Sequence, residues 1–422
     1  MTTKSTAESR GTRYLPDLLL GILPILLAVQ LLGCLTFFPS ALHGHADFRQ
    51  LYAAGYMVRT GHASQLYDYR AQQNFQDALV GNDERALPFI RPAYQALLFV
   101  PFSLLLYRTA YLVFLGVNLL LLAIALWLLR PSMRNLSRVW RGLPVFVFLV
   151  FYPMALALMQ GQDSILLLTL LAAALVALDH DRELTAGILV GLGLFKMQIV
   201  IPIALLFLLW RRWRFFTGFA LSASLVSLIS LWVVGLAQTA DYARSLFSVG
   251  ASLAAGTNQF PLRVSIMANL RGLIFGLMSA RLPAFWVQAL TIVVSIIVLL
   301  WVAVFAPRKL RGTEALVIAI TASVIVSYYL FIHDLSVLLI PIVITLDRFI
   351  FIHAETTRDA LDPVTARMSV VLLVAPMCIF LIPGHFYLVS LPLCAFMFIL
   401  MRNVRREQQR PGTSGELDLA RA

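Results

Sequence analysis

The stretch "SALHGHADFRQLYAAG" (residues 40–55) places His43, His45 and Asp47 alternately among small and apolar residues. On an extended backbone all three would point the same way. Such a set could ligate a divalent metal, or Asp47 could act alone as a general base. A third reading is structural: Gln50 follows Asp47 by three residues, the spacing of a capping box at a helix start. Gly44 gives no reason for a fixed, extended backbone, and no second acidic cluster accompanies the histidines. Metal is therefore the minor reading, and His43 and His45 read as solvated loop residues.

Other polar residues interrupt apolar runs. Lys196 sits in "GLGLFKMQIVIP", and a charge at the centre of a bilayer costs roughly 2.5–3.5 kcal/mol. It either binds a ligand or snorkels to the headgroups. In "YYLFIHDLSVLLIP", His333 could donate or accept a hydrogen bond, and Asp334 could cap the next helix. In "QGQDS", Asp163 reads as the cap of a helix starting at Ser164, which leaves Gln162 as the polar contact.

The elements that must position these residues are membrane helices. Of 422 residues, 60% are hydrophobic and 13% charged, against about 45–50% and about 25% in soluble domains. Many apolar runs approach the ~20 residues that cross a bilayer core. The net charge of +12 is spread over short loops such as "RPSMRNLSRVWR", "RRWR" and "PRKLR". That is the positive-inside pattern of a polytopic membrane protein, and no basic, aromatic-interleaved patch suggests nucleic acid. Cys34, Cys378 and Cys394 lie in or beside apolar runs and form no disulfide or ligand framework.

Loop charge also predicts connectivity. Residues 95–129 cross once, preceded by a partly inserted helix that breaks near Tyr107. Residues 184–210 start and end on the basic side, so they form a short hairpin with Lys196 at its tip. The expected fold is an all-α bundle of about twelve transmembrane helices, occupying 17–401 as one domain. Tails at 1–16 and 402–422 are cytoplasmic, their polar ends (1–12, 407–422) disordered, and 38–94 and 237–283 are large outer loops. A helix from Phe48 is expected to lie on the surface and to stop near Gly61.

In order, "DFRQLYAAGYMVRTGHASQLYD", "FIRPAYQALLFVPFSLL", "YPMALALMQGQDSILLL" and "TAGILVGLGLFKMQIVIPIALLFLLWRRWR" resemble the pattern of glycosyltransferase family 87 over roughly residues 15–350. The resemblance implies a glycosyltransferase C fold and transfer of a hexose, mannose in the best-known members, from a polyprenyl-phosphate donor. The acceptor would be a glycolipid or glycan outside the plasma membrane. It implies Asp47 as the base, with Lys196, His333, Gln162, Arg91 and Tyr52 as candidates for substrate contact. Arg271 and Asn269, outside the quoted motifs, are further candidates, to hold phosphate or to order the second outer loop. No cofactor is expected. The competing readings are a secondary transporter or flippase, against which the absence of a visible internal repeat counts, and a non-catalytic lipid-binding protein.

Overall fold

The computed structural model describes residues 4–81, 86–255, 264–307, 310–354, 363–380 and 384–409, and these form helices and turns without a strand. The chain opens with α1 (Lys4–Ser40), longer than a bilayer core requires. It starts inside the segment expected to be a disordered tail; residues 410–422 of the other tail lie outside the described residues. Next come α2 (Phe48–Arg59), α3 (Tyr69–Val80), α4 (Tyr94–Phe99), α5 (Tyr107–Leu129), α6 (Arg134–Val139), α7 (Leu143–Val150), α8 (Tyr152–Met159) and α9 (Ser164–Asp179). The rest are α10 (Glu183–Leu192), α11 (Met197–Leu209), α12 (Trp213–Ala255), α13 (Leu270–Met278), α14 (Ala284–Phe305), α15 (Gly312–Val326), α16 (Leu339–Ala354), α17 (Pro363–Val374) and α18 (Ser390–Gln409).

Among the described residues, six helical stretches are long and apolar enough to cross a membrane, and three shorter apolar helices accompany them. Large apolar side chains stand exposed along α5, α12 and α14, Trp232 and Leu236 among them. In a lipid solvent this is the outward face of a bundle. The chain is a multi-pass, all-helical membrane protein.

One of the six long stretches, Glu183–Leu209, is not a single straight helix. A 3₁₀ turn at Gly193–Lys196 interrupts it, and Lys196 leaves helical geometry (φ −117°, ψ 56°). Glu183 and Arg212 form an ion pair at 2.5 Å, so the two ends of the segment meet. Gly187 abuts the backbone of Phe215, and Gly191 that of Phe219. α10 and α12 therefore run parallel and in direct contact, and α11, which links them in the chain, runs back in the opposite direction. Glycine permits this approach, because a Cβ at 187 would overlap the Phe215 carbonyl oxygen. Gly187→Leu should lower the thermal midpoint in detergent, a loss of about 1–3 kcal/mol or more from overpacking. Gly116→Leu, where a Cβ meets open space, is the matched control and should change little.

The N-terminal outer segment departs from expectation. α2 stops at Arg59 with Gly61 at φ 82°, as its sequence signals. It does not lie on the surface, however: Phe48, Leu51, Tyr52, Ala54 and Met57 are buried in a second core with Phe99, Tyr107 and Phe114. The Phe48 ring stacks on Phe114 at 5.2 Å, and Tyr52 meets Tyr107 edge-on at 5.6 Å. The covering side is supplied by α4, the turn Phe102–Leu104 and the start of α5. α5 begins at Tyr107, where the sequence placed the break.

Candidate active site

The site is assembled around the turn between α8 and α9. Tyr111 on α5 donates to the Met159 carbonyl at 2.7 Å, and Asn118 to that of Gln162 at 3.2 Å. Gly161 takes a left-handed conformation (φ 58°), and a Cβ there would sit 2.8 Å from that of Phe48. This close turn lets the Gln160 carbonyl accept from the Phe48 N–H, and its side-chain oxygen from the Asp47 N–H, both at 2.9 Å. The start of α2 is thus clamped by a turn far along the chain. Gly161→Ala should cost roughly 1–3 kcal/mol from strain at positive φ, read as a lowered thermal midpoint.

From this clamp a connected polar cluster runs inward. The Asp47 Oδ2 accepts from Gln162 Nε2 at 2.5 Å, and Gln162 Oε1 accepts from Arg91 Nη2 at 2.9 Å. Arg91 also pairs with Asp163, and Gln95 donates to the same carboxylate. Lys196 Nζ lies 3.3 Å from Asp163 and 2.7 Å from Asp334. Asp334 further accepts from the Ser164 hydroxyl at 3.0 Å and the Phe331 N–H at 3.1 Å. His333 Nε2 stands 3.5 Å from Asp334.

Tyr94 explains why Arg91 and Lys196 meet. Its hydroxyl donates to the Leu192 carbonyl at 3.0 Å and accepts from the Phe195 N–H at 2.7 Å, which fastens the hairpin tip to the start of α4. In "RPAY" the tyrosine holds the hairpin while the arginine enters the cluster.

Asp163, Lys196, His333 and Asp334 are all buried, whereas Asp47 is half-buried. Burial alone would push the Asp163 carboxyl up; Arg91 and Lys196 outweigh it and hold the group below the usual range. Asp334 is lowered too, with Lys196 overcoming the same burial effect. Burial pulls His333 down to about 4 even with Asp334 beside it. Its imidazole is neutral at pH 7, so it can exchange hydrogen bonds but brings no charge.

The cluster thus unites Asp47, Arg91, Gln162, Lys196 and His333 of the residues singled out in the sequence. The capping-box reading of Asp47 fails: its side chain makes no cap bond to α2, and its carboxylate turns to Gln162 instead. Lys196 neither snorkels nor stands free. Tyr52 donates to the Leu105 carbonyl at 2.7 Å within the aromatic core. Asn269 caps α13 and donates to Ser327 O at 2.6 Å. Arg271 donates to Tyr328 O at 2.8 Å and lies 3.9 Å over that ring. These three fasten neighbouring segments outside the carboxylate cluster.

Residues 41–45 form a turn with Gly44 at φ 90°, so alternation does not align His43, His45 and Asp47. Both histidines are exposed, and His43 Nδ1 lies 2.7 Å from Pro39 O. Sequence reasoning read Asp163 and Asp334 as caps and missed their ion pairs. Asp163 makes no cap bond, whereas Asp334 does accept the Phe331 N–H at the start of the turn that follows while also pairing with Lys196. Gln95 and Gln160 were missed altogether. The available signal was Lys196: a buried ammonium requires counter-ions, and acids bordering apolar runs were the natural supply.

A model of glycosyltransferase family 87 matches residues 89–332, more than half of the chain, whereas no curated protein and no solved structure matches it. The matched stretch includes Arg91, Gln162, Asp163 and Lys196; it begins after Asp47 and ends immediately before His333 and Asp334. A transporter reading has no such support, and this chain belongs to glycosyltransferase family 87, as a membrane glycosyltransferase.

Proposed function

We propose that the protein transfers a hexose, mannose by family resemblance, from a polyprenyl-phosphate donor to a hydroxyl of a glycolipid or glycan acceptor. The observation that carries this reading is the half-buried Asp47 carboxylate, held by Gln162 at the rim of a buried cluster that contains Arg91. The acceptor oxygen attacks the anomeric carbon as its proton passes to Asp47. The bond from that carbon to the phosphate oxygen breaks, and polyprenyl phosphate leaves with the electron pair. A β-linked donor would give an α-linked product, by inversion and without a covalent intermediate.

In this reading Arg91 stabilises the leaving phosphate, and neutral His333 donates a hydrogen bond to it. Lys196 acts one step back, holding Asp163 and Asp334 so that Arg91 keeps its place. No step is routed through a metal or cofactor. The placement follows from loop charge: about twelve crossings, both termini cytoplasmic, and the site on the extracytoplasmic face of the plasma membrane.

The test is purified protein in lipid nanodiscs, given labelled polyprenyl-phosphate mannose, then other polyprenyl-phosphate hexoses, with membrane lipid extract as acceptor. Label should move into a new glycolipid or glycan. No transfer from any of these donors would overturn the reading.

A further inference from the structure

α12 breaks at Gly235, where φ 77° and ψ 173° leave helical geometry. The segment beyond the break folds over the N-terminal outer segment. Gln238 Oε1 accepts from the Tyr67 N–H at 3.4 Å, and the Tyr242 ring stacks on Tyr67 at 4.9 Å. Tyr67 in turn donates its hydroxyl to the Arg91 carbonyl at 2.8 Å. Tyr242 is therefore one ring away from the backbone that carries the cluster's arginine, and within electrostatic reach of its guanidinium.

The tyrosine hydroxyls here differ in how they are used. Those of Tyr67 and Tyr94 are committed to backbone groups. That of Tyr242 is buried with no hydrogen-bond partner among the described residues. A phenylalanine would stack on Tyr67 equally well and spare the desolvated hydroxyl, so packing does not account for the group. A buried, unpartnered O–H stacked on the tyrosine that binds the Arg91 carbonyl is suited to an acceptor-only anion, which could take bonds from the hydroxyl and from the arginine at once.

We propose that Tyr242 contacts the donor, its hydroxyl donating to a phosphate oxygen of the polyprenyl-phosphate sugar beside Arg91. The assignment rests on the donor class inferred above. It makes the segment after Gly235 part of the donor site and not only a shaper of the acceptor.

Tyr242→Phe removes the hydroxyl and keeps the stacked ring. One hydrogen bond to a charged partner corresponds to about a ten- to hundredfold change in affinity. In nanodiscs, the KM for polyprenyl-phosphate mannose should rise by that factor, with the acceptor KM and the thermal midpoint unchanged. Equilibrium binding of polyprenyl phosphate itself, without sugar or acceptor, should weaken to a similar extent. The binding arm reads Tyr242 even if no transfer is seen, so failure of the catalytic reading is distinguishable from failure of this one. Binding of polyprenyl phosphate within twofold of wild type in Tyr242→Phe would overturn the proposal. So would an effect confined to the acceptor KM, or no binding of polyprenyl phosphate by the wild type.

Discussion

Asp47→Asn lowers the rate of sugar transfer by about 10²–10⁴-fold, the usual contribution of a positioned general base. Asparagine keeps the size of the side chain and an oxygen able to accept from Gln162 Nε2, so the 2.5 Å contact has a substitute. The clamp on α2 runs through the Asp47 N–H and the Phe48 N–H, which the substitution leaves untouched. Nor does the side chain cap the helix. The thermal midpoint and the binding of polyprenyl phosphate should therefore stay near wild type while single-turnover transfer collapses. Transfer within threefold of wild type would show that another group takes the proton.

Lys196→Met has its largest effect on stability. It leaves Asp163 and Asp334 buried without the ammonium that lies 3.3 Å and 2.7 Å from them. Removing one partner of a buried ion pair costs about 3–5 kcal/mol, enough to impair folding of a marginally stable protein. The double variant Lys196→Met, Asp334→Asn again matches one cation, Arg91, with one carboxylate, Asp163, and should recover much of the loss.

The pH response should also change sign. In the wild type Asp163 and Asp334 are held below their ordinary value of 3.8. Their contribution to stability is complete above that value and is lost as pH falls below it, through their lower folded values. In Lys196→Met, acidification neutralises an unpaired buried carboxylate, so the gap to wild type should narrow as pH falls. Thermal unfolding in detergent across pH measures both. A single variant as stable as the wild type would mean that Lys196 is not the counter-ion the packing makes it.

Much of the architecture was legible because it depends on local composition. Apolar runs bounded by short basic loops identify membrane helices wherever they pack, and the even charge at the two ends of 184–210 requires a reversal. Gly61 and Tyr107 mark a helix end and a helix start by steric and capping preferences that act within a few residues. The burial of α2 was not legible, because its amphipathic pattern fits a surface helix as well as one roofed by α4 and the following turn.

The candidate site divides along the same line. By itself the sequence determined that this is a helical membrane protein with a lysine in an apolar stretch and acids at the edges of others. Only the tertiary structure decided which of them meet: Asp163 pairs with Arg91 across 72 residues and Lys196 with Asp334 across 138. An aspartate before a helix looks the same whether it accepts a backbone N–H nearby or a distant cation. Asp47 and Asp163 both stand where a cap would, and neither side chain serves as one. The choice belongs to packing, because a carboxylate carried out of solvent turns to whichever buried donor the surrounding helices bring within reach.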